Sequence, residues 1–195
     1  MSSQGVFYVT GRGGSLVGNL GTHLSERYGL LGGIGLSHTW LRQRHEDQVA
    51  LVLECMEAAE AYDAPVIANS YGAYLALLAI FSRSGLENSV LLLSPVLGKT
   101  VLGGIYHRPA GSKFFAAAIG CPIEKPHLIE LYMGDADPCY VPDTWDRLLN
   151  ALGPDYHALF PGEGHGLRQE LVAEVIEQFV RRHQLRSSTG GAPRE

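Results

Sequence analysis

Short apolar runs of strand length alternate with longer helical patterns along nearly the whole chain, and few folds accommodate that order. Val6–Thr10, Leu30–Leu36, Val66–Ala68, Val90–Leu93, His127–Met133 and Tyr156–Phe160 read as strands, the second weakened by its glycines. Helices are expected over Leu16–Tyr28, Glu46–Tyr62, Gly72–Arg83, Asp143–Leu152 and Leu167–His183. In the second of these, Val49, Val52, Leu53, Met56 and Ala59 recur at three-and-four spacing. Gly72–Arg83 is apolar nearly all round, the pattern of a central buried helix. Continuous apolar strands separated by helices imply a mostly parallel sheet covered on both faces. The expected fold is therefore α/β, a three-layer αβα sandwich. In such sheets ligands bind beyond the carboxyl ends of the strands, so the residues that follow each strand carry the functional information.

A chain of 195 residues suits one domain, expected over residues 1–186, with the polar, Gly-rich stretch 187–195 as a disordered tail. With 15 Lys and Arg against 20 Asp and Glu, and no basic run before the tail, nucleic acid is excluded as the natural partner. Cys55, Cys121 and Cys139 are odd in number and widely spaced, which fits neither a zinc knuckle nor a disulfide framework. Free thiols fit a reducing compartment. The N-terminal apolar run, Val6–Val9, is too short for a signal-peptide core, and no stretch reaches the length of a membrane span. The chain is expected to be cytoplasmic.

Three strand ends stand out. Val66-Ile67-Ala68-Asn69-Ser70-Tyr71-Gly72-Ala73 passes from strand to helix at Ser70. A turn of that kind lifts a hydroxyl above the sheet and aims the unpaired N–H groups of the new helix at the same point. Leu128–Met133 is followed by Gly134-Asp135-Ala136-Asp137-Pro138, and Tyr156–Phe160 by Pro161-Gly162-Glu163-Gly164-His165-Gly166. Read in chain order, Ser70, Asp137 and His165 resemble the nucleophile, acid and base of the α/β-hydrolase superfamily, whose nucleophile elbow reads G-x-S-x-G. Asn69 stands where that pattern prefers glycine. Val141-Pro142 follows the acid one residue later than in the family's G-x-x-D-x-x-V-P context, and Asp135 is the competing acid. The resemblance spans about residues 6–183 and lacks the family's early antiparallel strands, so it implies a minimal member. Thr10-Gly11-Arg12-Gly13-Gly14 resembles the family's His-Gly oxyanion loop, with Thr10 in place of the histidine. That match implies the backbone N–H groups of Arg12 and Tyr71 as oxyanion donors.

The chemistry so implied is cleavage of a carboxylic ester or thioester through an acyl-enzyme, on a small-molecule acyl substrate, with no metal and no organic cofactor. A dinucleotide site is disfavoured, since G-x-G-x-x-G would need glycine at Leu16, and Leu30–Trp40 holds no ribose-binding acid. Gly98-Lys99-Thr100 lacks the upstream glycine of a P-loop, and His45-Glu46 lacks the second histidine of H-E-x-x-H. The rival from another class is a non-catalytic binding protein on the same scaffold. Finally, Ser94–Pro126 is longer and more apolar than a plain connection needs. Ser112 is placed to cap a short helix there. Phe114 and Phe115 are candidates for a small lid, within residues 94–126, beside Ser70.

Overall fold

The computed structural model describes residues 5–83, 85–97, 100–102, 105–107, 109–121 and 123–189. The elements run β1 (Val6–Val9), α1 (Asn19–Tyr28), β2 (Leu30–Ile34), α2 (His45–Ala61), β3 (Val66–Asn69), α3 (Ser70–Ser82) and β4 (Ser89–Leu93). There follow β5 (Thr100–Leu102), β6 (Ile105–His107), α4 (Ser112–Ala118), β7 (Leu128–Gly134), α5 (Pro142–Leu152), β8 (Tyr156–Phe160) and α6 (Gln169–Thr189). Six strands form one parallel sheet in the order β2-β1-β3-β4-β7-β8, and β5 with β6 forms a separate antiparallel pair.

Every residue of β1, β4 and β7 is buried, as continuous apolar strands require when both faces are covered. Successive side chains alternate between two cores. Phe7, Val9, Val66, Ala68, Leu92 and Met133 face one core, shared with Val52 and Met56 of α2, most of α3 and Trp145 and Leu148 of α5. Val6, Tyr8, Ile67, Leu91, Leu93 and Tyr132 face the other, against Leu24 of α1 and Ile176, Phe179 and Val180 of α6. Glu130 in β7 is fully buried, and its carboxylate accepts from Arg182 Nε and Nη2 at 2.6 Å each and from the Tyr132 hydroxyl at 3.0 Å. A buried carboxylate so completely paired escapes the cost of an isolated charge.

Helix boundaries shift from the sequence-based expectation where tertiary contacts decide them. Helix α3 begins at Ser70 itself. Helix α6 continues to Thr189, so residues 187–189 of the expected tail are helical, and 190–195 lie outside the described residues. Ser112 caps nothing: it is the first residue of α4, and Gly111 in the left-handed region occupies the cap. In the Ser94–Pro126 segment, Phe115 is buried against Tyr74 and Phe81 of α3. Phe114 is half exposed and lines a depression with His45, Val49 and Leu78. Residues 98, 99, 103, 104, 108 and 122 of that segment lie outside the described residues.

The chain leaves β1 to build β2 on one side and returns to build β3 on the other. The carboxyl ends of β1 and β3 therefore flank the point where winding reverses, the place where open α/β sheets bind ligands. They carry Thr10–Gly14 and Ser70. The two meet through Gly72, whose missing Cβ would stand 2.2 Å from the Thr10 carbonyl oxygen and 2.8 Å from that of Val9. Gly72→Ala is expected to lower stability by about 3 kcal/mol, because only backbone could yield. Urea unfolding measures it; a loss under about 0.5 kcal/mol, typical of a tolerant surface position, would show that the contact relaxes freely.

Candidate active site

Ser70 sits at φ +54, one of three non-glycine residues with positive φ among the described residues. Such strain costs about 1–3 kcal/mol and persists only where the surroundings impose it. Here β3 ends at Asn69 in extended geometry, and α3 starts at once. The Tyr8 hydroxyl holds the Asn69 side chain by donating to Oδ1 at 3.0 Å. Asn69 thus meets the elbow without needing the glycine, since its own φ is −129.

Ser70 Oγ lies 2.6 Å from His165 Nε2, and His165 Nδ1 lies 2.8 Å from Asp137 Oδ2. The Asp137 side chain is wholly buried, and its other oxygen accepts from the Cys139 amide at 2.7 Å. The structure thus brings together Ser70, Asp137 and His165 from three strand ends. Asp135 lies elsewhere: its Oδ1 accepts from the Gly162 amide at 2.7 Å. It ties the β7 loop to the β8 loop. Gly134 draws the same loops together, because a Cβ there would fall 2.0 Å from the Glu163 carbonyl oxygen. The Ala136 amide donates to that oxygen at 3.1 Å. Glu163, buried, accepts from the Arg168 amide at 3.1 Å and pairs with its guanidinium.

Across the switch point, Gly11 approaches Ser70 so closely that a Cβ would meet the Ser70 Cβ at 3.0 Å. The amide of Tyr71, second in α3, is one of the N–H groups a helix start leaves without an internal partner. No partner for the Arg12 amide occurs among the described residues. The Arg12 guanidinium stacks over the Tyr71 ring at 5.2 Å, and the Tyr71 hydroxyl donates to Gln48 Oε1 at 3.2 Å. Thr10 is buried, and its Oγ1 accepts from the Leu36 amide at 2.9 Å.

Beside these groups opens a cavity of about 330 Å³, flanked by Asn69 and His165 and walled by Leu20, Leu93, Leu167 and Val172. That volume lies at the small end of the range for ligand sites. Ser94 also lines it; this buried residue has φ +45 and an Oγ without a hydrogen-bond partner among the described residues. Neither Phe114 nor Phe115 is among its walls. Asp137, Cys139 and His165 also place metal-ligand atoms within 4.8 Å of one another. A cation there would take the lone pairs that the Asp137–His165 hydrogen bond already uses.

Cys139, Glu163 and Ser94 were not singled out as site residues from the sequence. Asp-x-Cys carries no recognised signal, Glu163 reads as one more acid in a polar loop, and Ser94-Pro95 reads only as the end of a strand.

No protein-family model matches the chain, and no curated protein matches it. Solved structures do. Est1E from Butyrivibrio proteoclasticus, with ferulic acid bound, superposes with a TM-score of 0.64 at 12% identity, covering 93% of this chain and 90% of that one. A monoacylglycerol lipase from Paleococcus ferrophilus gives 0.63 at 15% identity, covering 91% and 94%. A puromycin hydrolase gives 0.55 at 20% identity over 92% of this chain but only 32% of its own length. The chain has the α/β-hydrolase fold. No helix among the described residues is long and apolar enough to cross a membrane.

The imidazolium of His165 is stabilised first by its hydrogen bond to Asp137 and next by the Cys139 sulfur, against the opposing effect of burial, so its pKa is raised above the usual histidine range. The charged ring should therefore persist to higher pH than a free histidine. Cys139→Ala removes one raising partner and is expected to shift the His165 midpoint downward in an NMR titration of the ring. An unmoved midpoint would show that the sulfur contributes nothing.

Proposed function

We propose that this chain is a serine hydrolase that cleaves a carboxylic ester or thioester through an acyl-enzyme. The observation that carries the reading is the unbroken hydrogen-bonded relay from Ser70 Oγ through His165 to Asp137, set at an elbow of positive φ. Serine is a weak nucleophile at neutral pH and needs an adjacent base. His165 Nε2 takes the Ser70 proton as Oγ attacks the acyl carbonyl. Asp137 holds Nδ1–H and stabilises the imidazolium that forms. The same hydrogen bond to Asp137, with the Cys139 sulfur beside it, raises the His165 pKa by favouring the charged ring. It also places the acid limb of activity above the pH expected for an ordinary histidine, because only the neutral ring accepts a proton.

The amides of Arg12 and Tyr71 receive the oxyanion, and each such donor is worth about 3–4 kcal/mol of barrier. His165 then returns its proton to the departing oxygen or sulfur, and water attacks the acyl-enzyme by the same route. No metal or organic group enters any step. The named activities of structural neighbours, an esterase and a lipase among them, agree with an ester substrate. The rival reading, a binding protein without catalysis, requires no such relay, and the aligned relay favours the enzyme.

A fluorophosphonate probe should label the wild type and leave Ser70→Ala unlabelled. Ester hydrolysis should fall by at least about a thousandfold in that variant, with circular dichroism unchanged. Asp137→Asn should lower kcat by about 10⁴-fold, by misorienting the ring. Undiminished hydrolysis in Ser70→Ala would overturn the reading.

A further inference from the structure

Ser94 and Ser70 occupy matching places in the sheet. Asn69 pairs with Leu93 across β3 and β4, so the next residue on each strand, Ser70 and Ser94, leaves the sheet at the same level. Both adopt positive φ, a conformation that a serine takes only when held there. The Ser94 amide is held by the Tyr132 carbonyl at 2.8 Å. Its hydroxyl is not: Oγ is buried without a partner among the described residues. Buried polar groups nearly always find a partner, and the exceptions mark places where function supplies one. Ser94 lines the cavity beside His165.

The position of the cavity indicates which half of a substrate it receives. Arg12 and the Tyr71 ring lie on the face of the sheet covered by α2 and α3. Leu93, Leu20 and Val172 belong to the opposite face, with α1 and α6. His165 lines the cavity on that opposite face, and its Nε2 is the atom that gives the proton to the departing oxygen. The departing group must therefore lie beside the cavity's mouth. The described walls include no Asp or Glu side chain, so a cationic group would be desolvated there without a counter-charge; the imidazoles of His23 and His165 and the amides of Asn19 and Gln169 are their polar edges.

Resting on the serine-hydrolase reading, we propose that this cavity is the leaving-group subsite and that Ser94 Oγ hydrogen-bonds an uncharged polar group, a hydroxyl or carbonyl, carried by the departing alcohol. The substrates so selected are esters of small alcohols with an apolar body and a neutral polar end. Their ends satisfy a hydroxyl that an all-hydrocarbon alcohol leaves unpaired, and a site built to pair such a group discriminates against the analogue that lacks it.

The test compares kcat/KM, which reports acylation, for two ester series on the wild type, Ser94→Ala and Ser94→Gly. In the first the acyl group is fixed as acetate and the alcohol varies: monoacetates of ethanediol, butanediol and hexanediol against propyl, pentyl and heptyl acetate. In the second the alcohol is fixed as p-nitrophenol, and p-nitrophenyl 4-oxopentanoate is compared with the 4-methylpentanoate. Glycine takes positive φ without strain, so Ser94→Gly serves where Ser94→Ala fails to fold. The wild type should prefer the best diol monoacetate over its alkyl isostere, and both variants should lose about tenfold of that ratio, the size of one neutral hydrogen bond. The acyl series should keep its ratio. Equal ratios in wild type and variants across both series would mean that Ser94 meets ordinary water only, and would overturn the proposal. A change confined to the acyl series would overturn the leaving-group assignment. Both failures leave Ser70-dependent hydrolysis of p-nitrophenyl acetate intact. A wild type that hydrolyses no ester would instead sink the hydrolase reading and this proposal with it.

Discussion

The site depends on one backbone contact. At Gly72 the first turn of α3 presses against the last carbonyls of β1, closer than any side chain permits. That contact leaves α3 little freedom in how it departs from β3, and so forces the reversal of direction at Ser70 into a single residue with positive φ. The strain of that residue, about 1–3 kcal/mol, is sustained by α3 itself, which is buried from Tyr71 to Ile80. Burial of ten consecutive residues outweighs the local cost, at roughly 25 cal/mol per Å² of apolar surface. The same contact brings the Thr10–Gly14 loop beside the start of the helix, so the Arg12 and Tyr71 amides and the Ser70 hydroxyl are positioned by one piece of packing.

A second close approach does the same for the other half of the relay. Gly134 abuts the Glu163 carbonyl, and Asp135 and Ala136 stitch the β7 loop to the β8 loop. Asp137 and His165 therefore move as a unit relative to Ser70. The unit is rigid through backbone hydrogen bonds rather than long side chains, which suits a relay whose distances of 2.6 and 2.8 Å tolerate little slack.

The parallel sheet was legible because continuous apolar runs bounded by glycine admit few other folds, and the three strand ends were legible because backbone turns demand particular residue types. The elbow announces itself through Ser70 and Gly72. The one-residue delay of Val141-Pro142 has a simple cause: Val141 is the N-cap of α5 and Pro142 its first residue, so the proline marks the helix start and not the acid. Between Asp137 and that start lies a turn in which the Tyr140 amide donates to the Asp137 carbonyl at 2.9 Å. What sequence does not encode locally is which face an apolar residue takes on a short helix. Phe114 and Phe115 are neighbours in α4, yet one is half exposed and the other fills the core against Tyr74 and Phe81. Which of the two is buried depends on packing that a seven-residue helix cannot carry in its periodicity. The unpaired hydroxyl of Ser94 is hidden for the same reason, since satisfaction of a hydrogen bond is a property of neighbours distant in the chain.

The groups around Ser70 are divided between the two faces of the sheet. The Thr10–Gly14 loop is bound into the α2 and α3 side, where the Tyr71 hydroxyl reaches Gln48 and the Gln48 amide reaches the Gln43 carbonyl at 3.0 Å. Thr10 extends that binding to the end of β2, because its hydroxyl oxygen accepts from Leu36. Thr10 is thus a short buried brace between the loop and the end of β2. The cavity belongs to the other face, between α1 and α6. Leu20 of α1 and Val172 of α6 wall that cavity from opposite helices.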